Sequence, residues 1–147
     1  MSLTDWRRWG WVTAHRPNRR EIADLLAVAD RDLEQCRDPG LHPDWRLAIA
    51  YNAALQCATA ALAAVGYRAA HEAHHHRVVQ SLELTIGWPR AEVDALDTFR
   101  GRRNVVEYRR ADVVSDAEAN EMVQLARKLR ADVQAWLAAQ HSDLLSE

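Results

Sequence analysis

The chain has 147 residues, of which 48% are hydrophobic and 27% are charged, and its formal net charge is −2. This length predicts a single domain, residues 1–147, with a core large enough to fold without a metal or a disulfide. The hydrophobic fraction excludes a disordered chain, and the scarcity of glycine and proline argues against a turn-rich β-sandwich. Because acidic residues slightly outnumber basic ones, the protein as a whole is not basic, and any nucleic-acid site must be a local basic patch. Lys128 is the only lysine, and this preference for arginine is typical of a GC-rich bacterial genome.

The chain shows no membrane or secretion signal. No uninterrupted apolar segment reaches the roughly 20 residues that a membrane helix needs, and the most apolar stretch, 47–65, contains Asn52 and Gln56. The N-terminus lacks the apolar core of a signal peptide, so we expect a cytoplasmic protein without a membrane partner. Cys36 and Cys57 lack CxxC spacing and are expected to be small core residues.

The first 17 residues form a tryptophan-rich extension in which Trp6, Trp9 and Trp11 lie among arginines. We expect a short amphipathic helix that docks its indoles on the body of the protein or on a second subunit. Indoles interleaved with arginine could also stack on bases. Anchoring is the commoner role of tryptophans in a terminal segment, so base stacking remains the alternative.

Five helices are predicted after this extension, and no segment shows the period of two that indicates a strand. They run from about residue 18 to 37, 44 to 65, 70 to 86, 89 to 110 and 116 to 140. Asn18 is the predicted N-cap of the first, Gly66 ends the second, and Ser115 with Glu118 forms a capping box before the last. In the third, the inward residues are Val78, Val79, Leu82 and Ile86. The predicted fold class is therefore all-α, an antiparallel bundle of four to five helices.

Residues 71–75 match the H-E-x-x-H signature of zinc proteases. On a helix, His71 and His75 would lie on one face, with Glu72 able to activate a metal-bound water. A zinc protease also needs a third ligand and a sheet edge that holds the peptide, and no strand is predicted. Because three histidines are consecutive at 74–76, such a match arises easily. We expect a solvated helix start, with adventitious metal binding as the alternative, and we assign no metal and no cofactor.

The strongest local charge lies in segment 100–110, which carries five arginines and one glutamate. On a helix, Arg103 and Glu107 continue the direction of the preceding apolar stripe, and Asn104 and Tyr108 share the adjoining face. A buried, unpaired arginine costs several kcal/mol, so Arg103 needs a partner, a cleft or a subunit interface. The simpler alternative is an internal Arg103–Glu107 salt bridge over a solvated helix end.

Several features follow one another in a characteristic order. They are Tyr51-Asn52-Ala53-Ala54, Gly66, a histidine-containing third helix, Arg103-Asn104-Val105-Val106-Glu107-Tyr108, and Val114-Ser115-Asp116-Ala117-Glu118-Ala119. In this order and spacing, roughly residues 20–140 resemble the small prokaryotic HEPN proteins. These are all-α bundles of similar length, so the resemblance implies a HEPN-like helical domain.

The resemblance also implies metal-independent ribonuclease chemistry, often as the toxin of a toxin–antitoxin pair with a nucleotidyltransferase-like partner. It implies a homodimer whose facing motif helices form one basic cleft for RNA or nucleotide. Arg103, Asn104 and Tyr108 would be the catalytic positions, with Arg103 neutralising the phosphorane and Asn104 bonding a phosphate oxygen. The 2′-hydroxyl would be the nucleophile and would leave a cyclic phosphate end. Further phosphate-binding positions would be Arg100, Arg102, Glu107 and Arg109.

The sequence departs from the family pattern at one position, because Tyr108 stands where the motif has histidine. Histidine titrates near pH 6.5 but tyrosine near 10, so Tyr108 is a poor base at neutral pH. We expect RNA or nucleotide binding with weakened or absent cleavage, unless the 71–76 run supplies a proton-transfer residue. The alternative function is a non-catalytic protein-interaction module in which Arg103, Glu107 and Tyr108 form an interface network.

Overall fold

The computed structural model describes residues 1–71, 74–108 and 114–145, and for residues 104–108 it describes the backbone without the side chains. Over these residues the protein is mostly helical, which confirms the all-α class at that level. The helices are α1 (Leu3–Arg8), α2 (Arg19–Gln35), α3 (Pro43–Ala64), α4 (His74–Gln80), α5 (Arg90–Tyr108) and α6 (Asp116–Gln140). Two strands, β1 (Val12–Ala14) and β2 (Tyr67–Ala69), form one antiparallel pair. Short 3-10 turns lie at Ser81–Glu83 and Ser142–Leu144.

Helix α3 is the centre of the fold. It packs against α2 and α6 and also contacts α4 and α5. Its small side chains let the neighbouring helices approach closely; Ala50, Ala53, Ala54, Ala58, Ala60 and Ala61 are fully buried. By length and composition α3 could cross a membrane, but 78% of its apolar window is buried inside the fold. This burial is typical of the core helix of a soluble protein.

The predicted helix boundaries are confirmed where a local cap sets them. The side chain of Asn18 accepts a hydrogen bond from the Glu21 N–H at 2.9 Å, and α2 begins at the next residue. The Ser115 hydroxyl accepts from the Glu118 N–H at 3.1 Å, while the Glu118 carboxylate accepts from the Ser115 N–H at 3.3 Å. These side-chain bonds satisfy backbone donors that the first turn of a helix leaves without partners.

The prediction that the chain has no strand is wrong. Gly66, with φ of +94°, turns the chain after α3 and brings residues 67–69 beside residues 12–14. Val12 pairs with Ala69 and Ala14 with Tyr67. Because the two strands have three residues each and lie far apart in sequence, neither shows a recognisable alternation. The pairing depends on the tertiary fold.

The predicted third helix, 70–86, is also wrong in length. Helix α4 begins only at His74 and ends at Gln80, and the chain then tightens into a 3-10 turn. Val78, Val79 and Leu82 are buried as predicted. Strand β2 ends at Ala69, shortly before α4, so α4 has only about two helical turns. Its first turn contains the three consecutive histidines.

The N-terminal extension docks on the body of its own chain, which is one of the two outcomes predicted from the sequence. Trp6 of α1 is 3% exposed, whereas Trp9 is 49% exposed. The Trp11 ring packs edge-on against both of these indoles. The Arg77 guanidinium lies 3.5 Å from the centroid of the Trp11 ring. The tryptophans therefore anchor the extension next to α4.

Both cysteines lie in the core, as predicted. Cys36 and Cys57 are buried free thiols. Burial raises the pKa of Cys36 to about 11 and that of Cys57 to about 12. Because the thiolate is the reactive form, both side chains act as small hydrophobic residues at neutral pH.

Candidate functional site

Arg103 lies on the side of α5 that faces the core, as its position in line with the apolar stripe of that helix predicted. Leu96 and Phe99 of this helix are buried, and Arg103, farther along, is half-buried. Its guanidinium carbon is 5.4 Å from the centroid of the Tyr51 ring on α3. This distance falls within the range of a cation–π contact. Tyr51 is fully buried, so the core helix supplies a fixed aromatic surface beneath the arginine.

A second group of polar side chains joins α4 to α5. The Asp97 Oδ1 atom accepts a hydrogen bond from Arg100 Nε at 2.8 Å and lies 3.1 Å from His76 Nδ1. All three side chains are partly exposed, at 27% for Asp97, 28% for Arg100 and 38% for His76. They form an Arg–Asp–His chain that remains open to solvent.

The electrostatics of this chain keep Asp97 ionised. Partial burial raises the pKa of Asp97, but the hydrogen bonds from Arg100 and His76 outweigh that effect. The net result is a pKa below the usual range of an aspartate. Asp97 is therefore a carboxylate at neutral pH and can only accept hydrogen bonds.

Tyr51 lies between the two groups. Its ring centroid is 6.2 Å from that of His75, which precedes His76 on α4. Burial raises the pKa of Tyr51 to about 12. The positive charges of Arg103 and Arg100 lower this pKa, and the negative charge of Asp97 raises it, but burial is the largest effect. We call the resulting set the Tyr51 site. Its members are Tyr51, His75, His76, Asp97, Arg100 and Arg103.

Arg102 has a different environment. Its Nε and Nη2 atoms donate to the two carboxylate oxygens of Glu118, at 3.0 and 3.1 Å. This fork ties α5 to the first turn of α6, where Glu118 also completes the capping box. A phosphate at Arg102 would compete with this carboxylate.

The remaining predicted site residues lie outside what the structure describes. The backbone of α5 continues through Tyr108, so Asn104, Glu107 and Tyr108 belong to the same helix as Arg103. Their side chains, and Arg109 as a whole, are outside the described part of the chain. The predicted Arg103–Glu107 salt bridge therefore remains a hypothesis.

The H-E-x-x-H match lies only partly within α4 and only partly within the described residues. Because α4 begins at His74, His71 precedes the helix, and Glu72 lies outside the described residues. His75 packs near the Tyr51 ring. Among the residues that the structure describes, no group of three or more His, Cys, Asp or Glu side chains could hold a metal ion.

Sequence reasoning missed the contact between His76 and Asp97. These residues are 21 positions apart and lie on different helices. The available signals were a histidine run at the start of one helix and an aspartate three residues before Arg100. Neither signal identifies its partner without the packing of α4 on α5.

Comparisons with known protein families, with curated proteins and with solved structures find no match for this chain.

Proposed function

We propose that this chain is a HEPN-like cytoplasmic protein that binds RNA or a nucleotide through phosphate at the Tyr51 site. The observation that carries the proposal is the position of Arg103, held over the buried Tyr51 ring near Arg100. The resemblance supplies Asn104 and Tyr108 as further positions on the same helix. It also supplies the expected assembly, a homodimer, and the expected partner, a nucleotidyltransferase-like antitoxin.

The cation–π contact is compatible with phosphate binding by Arg103. An aromatic ring engages the face of a guanidinium plane, whereas a phosphate is bound by the N–H groups at its edge. A side chain already ordered by its surroundings also loses less entropy when a ligand binds. Tyr51 on the core helix would therefore hold Arg103 in a binding geometry.

The composition of the site favours phosphate over a neutral ligand. Among the side chains that the structure describes at this site, Arg100 and Arg103 bring two positive charges, whereas Asp97 brings one negative charge that already accepts hydrogen bonds from Arg100 and His76. In a protein with a net charge of −2, this local positive excess is the feature that would attract RNA.

The test compares RNA binding by the wild-type protein and the Arg103→Ala variant. Fluorescence anisotropy with a labelled single-stranded RNA oligonucleotide gives the affinity at several salt concentrations. Loss of one charge-assisted contact should weaken binding by roughly thirty- to a hundredfold and reduce the salt dependence. Arg20→Ala is the matched control, because the Arg20 side chain is 91% exposed.

A structural role for Arg103 gives the opposite pattern. If Arg103 serves only the packing of α5, Arg103→Ala should lower the melting temperature and leave RNA binding unchanged. Equal RNA affinity of the wild type and both variants would contradict the proposed function.

A non-catalytic protein-interaction module is the second candidate. The observation in its favour is an apolar groove of about 330 Å³ between α5 and α6, lined by Ala95, Phe99, Glu121, Gln124, Leu125 and Lys128. The Arg102–Glu118 pairing also shows that the arginine directly before the motif already has a structural partner. Light scattering tests the assembly. A monomer at micromolar concentration would exclude the composite dimer cleft and favour this module.

A further inference from the structure

His76 is held in one tautomer by its neighbour. Its Nδ1 atom lies 3.1 Å from an oxygen of Asp97, which is ionised and can only accept a hydrogen bond. The proton of a neutral His76 therefore resides on Nδ1, and the lone pair resides on Nε2. With its side chain 38% exposed, the ring remains accessible to a ligand.

We propose that His76 is the proton-transfer residue of the Tyr51 site and that Asp97 is its positioning residue. This inference rests on the proposed function, because it needs RNA at Arg100 and Arg103. It supplies from α4 the imidazole that the motif helix lacks at Tyr108.

The reaction would be transesterification within the RNA strand. Nε2 of His76 accepts the proton of a 2′-hydroxyl, whose oxygen attacks the adjacent phosphorus. The P–O2′ bond forms and the P–O5′ bond breaks. The departing 5′-oxygen takes a proton from water or from the imidazolium, leaving a 2′,3′-cyclic phosphate and a 5′-hydroxyl. No oxidant, reductant or metal is required for this balance.

The surroundings of His76 make it a better proton-transfer residue than the neighbouring His74 and His75. Asp97 stabilises the imidazolium that proton transfer creates, and Arg100 is bound to the same carboxylate oxygen. His75 packs toward the Tyr51 ring, and His74 is exposed and packs edge-on against His75. Within the described part of the chain, the charged groups at His76 are Asp97 and Arg100 of α5, and Tyr51 of α3 faces the adjacent His75.

The experiment measures cleavage of a single-stranded RNA oligonucleotide in the presence of a chelator, with binding measured separately by anisotropy. We expect His76→Ala to lower the cleavage rate by about a hundredfold or more while RNA affinity stays within about twofold. Added imidazole should restore part of that rate, since the exposed position leaves room for it. His74→Ala is the matched control and should cleave like the wild type. An all-DNA oligonucleotide, which lacks the 2′-hydroxyl, should remain intact.

Asp97→Asn tests the positioning role. The amide keeps the side-chain volume but removes the charge that stabilises the imidazolium, so the cleavage rate at saturating RNA should fall while RNA affinity stays within about twofold. Asp94→Asn, at an exposed position one turn earlier on α5, is the control and should leave both the rate and the affinity unchanged.

The outcomes separate this inference from the proposed function. Wild-type protein that binds RNA but leaves it intact overturns the role of His76 and leaves the binding function standing. Cleavage that persists in His76→Ala, or a lost rate that imidazole does not restore, also overturns it. Wild-type protein that does not bind RNA contradicts the proposed function itself and, with it, the inference.

Discussion

The Asp44 carboxylate accepts a hydrogen bond from the backbone N–H of Val114 at 3.2 Å, although 70 positions separate the two residues. Asp44 lies in the first turn of the core helix α3, and Val114 directly precedes the Ser115 cap of α6. Both residues are buried. This bond fixes the start of α6 against α3.

We predict that Asp44→Ala lowers the free energy of unfolding by about 1–3 kcal/mol, because it leaves the buried Val114 N–H without this acceptor. Urea denaturation at neutral pH measures the change. Asp24→Ala is the control, since the Asp24 side chain is 72% exposed, and it should leave stability nearly unchanged. Equal stability of the two variants would show that the Asp44–Val114 bond contributes little.

Two substitutions of Tyr51 separate the contribution of its ring from that of its hydroxyl group. Its hydroxyl is buried and has no hydrogen-bond partner among the residues that the structure describes. Tyr51→Phe should therefore keep or slightly raise stability, because a buried polar atom without a partner is costly. RNA affinity should not change, since the ring beneath Arg103 remains.

Tyr51→Leu removes the aromatic face as well. A cation–π contact contributes about 0.5–2 kcal/mol to holding Arg103 in place, so loss of this ordering should weaken RNA binding by at most about thirtyfold. Anisotropy and thermal melting of both variants check these expectations. A large loss of RNA affinity in Tyr51→Phe would show instead that the hydroxyl takes part in binding.

The Arg102–Glu118 pair predicts a dependence of stability on pH. The hydrogen bond from Arg102, followed by that from the Ser115 N–H, lowers the pKa of Glu118 below its usual range. A carboxyl group whose pKa is lower in the folded state stabilises the fold above its unfolded pKa, and this contribution disappears as the pH falls through the folded value. Arg102→Ala should therefore cost less than about 1 kcal/mol at pH 7 for this partly exposed pair. Urea denaturation should show that this difference shrinks below about pH 4. A difference that is constant with pH would contradict the role of the ion pair.

Tyr108→His restores the histidine that the family pattern has at this position. An imidazole with a pKa near neutrality would then lie about one helical turn from Arg103. We expect faster cleavage of single-stranded RNA, insensitive to chelator and greatest near neutral pH, with binding unchanged. Tyr67→His, on β2, is the matched control. No gain in cleavage, together with unchanged RNA binding in Arg103→Ala, would leave the interaction module as the better explanation.

The sequence by itself determined those features that depend on neighbours within a few residues. Asn18 and Ser115 begin their helices because each side chain bonds a backbone N–H three residues later. Gly66 ends α3 through a positive φ that glycine adopts without strain. Helical periodicity also placed Arg103 on the inward direction of α5, where the structure has it over Tyr51.

The tertiary structure decided the contacts between distant segments. The pairing of β1 with β2 shortens the helix that precedes α5, and this pairing has no local pattern because each strand has three residues. The same packing brings His76 to Asp97 and turns Arg102 toward Glu118. A side chain chooses among several possible partners by distance and burial, and those quantities exist only once the helices have packed. For that reason the arginine-rich helix could be predicted from the sequence, whereas the residues that surround it could be identified only from the fold.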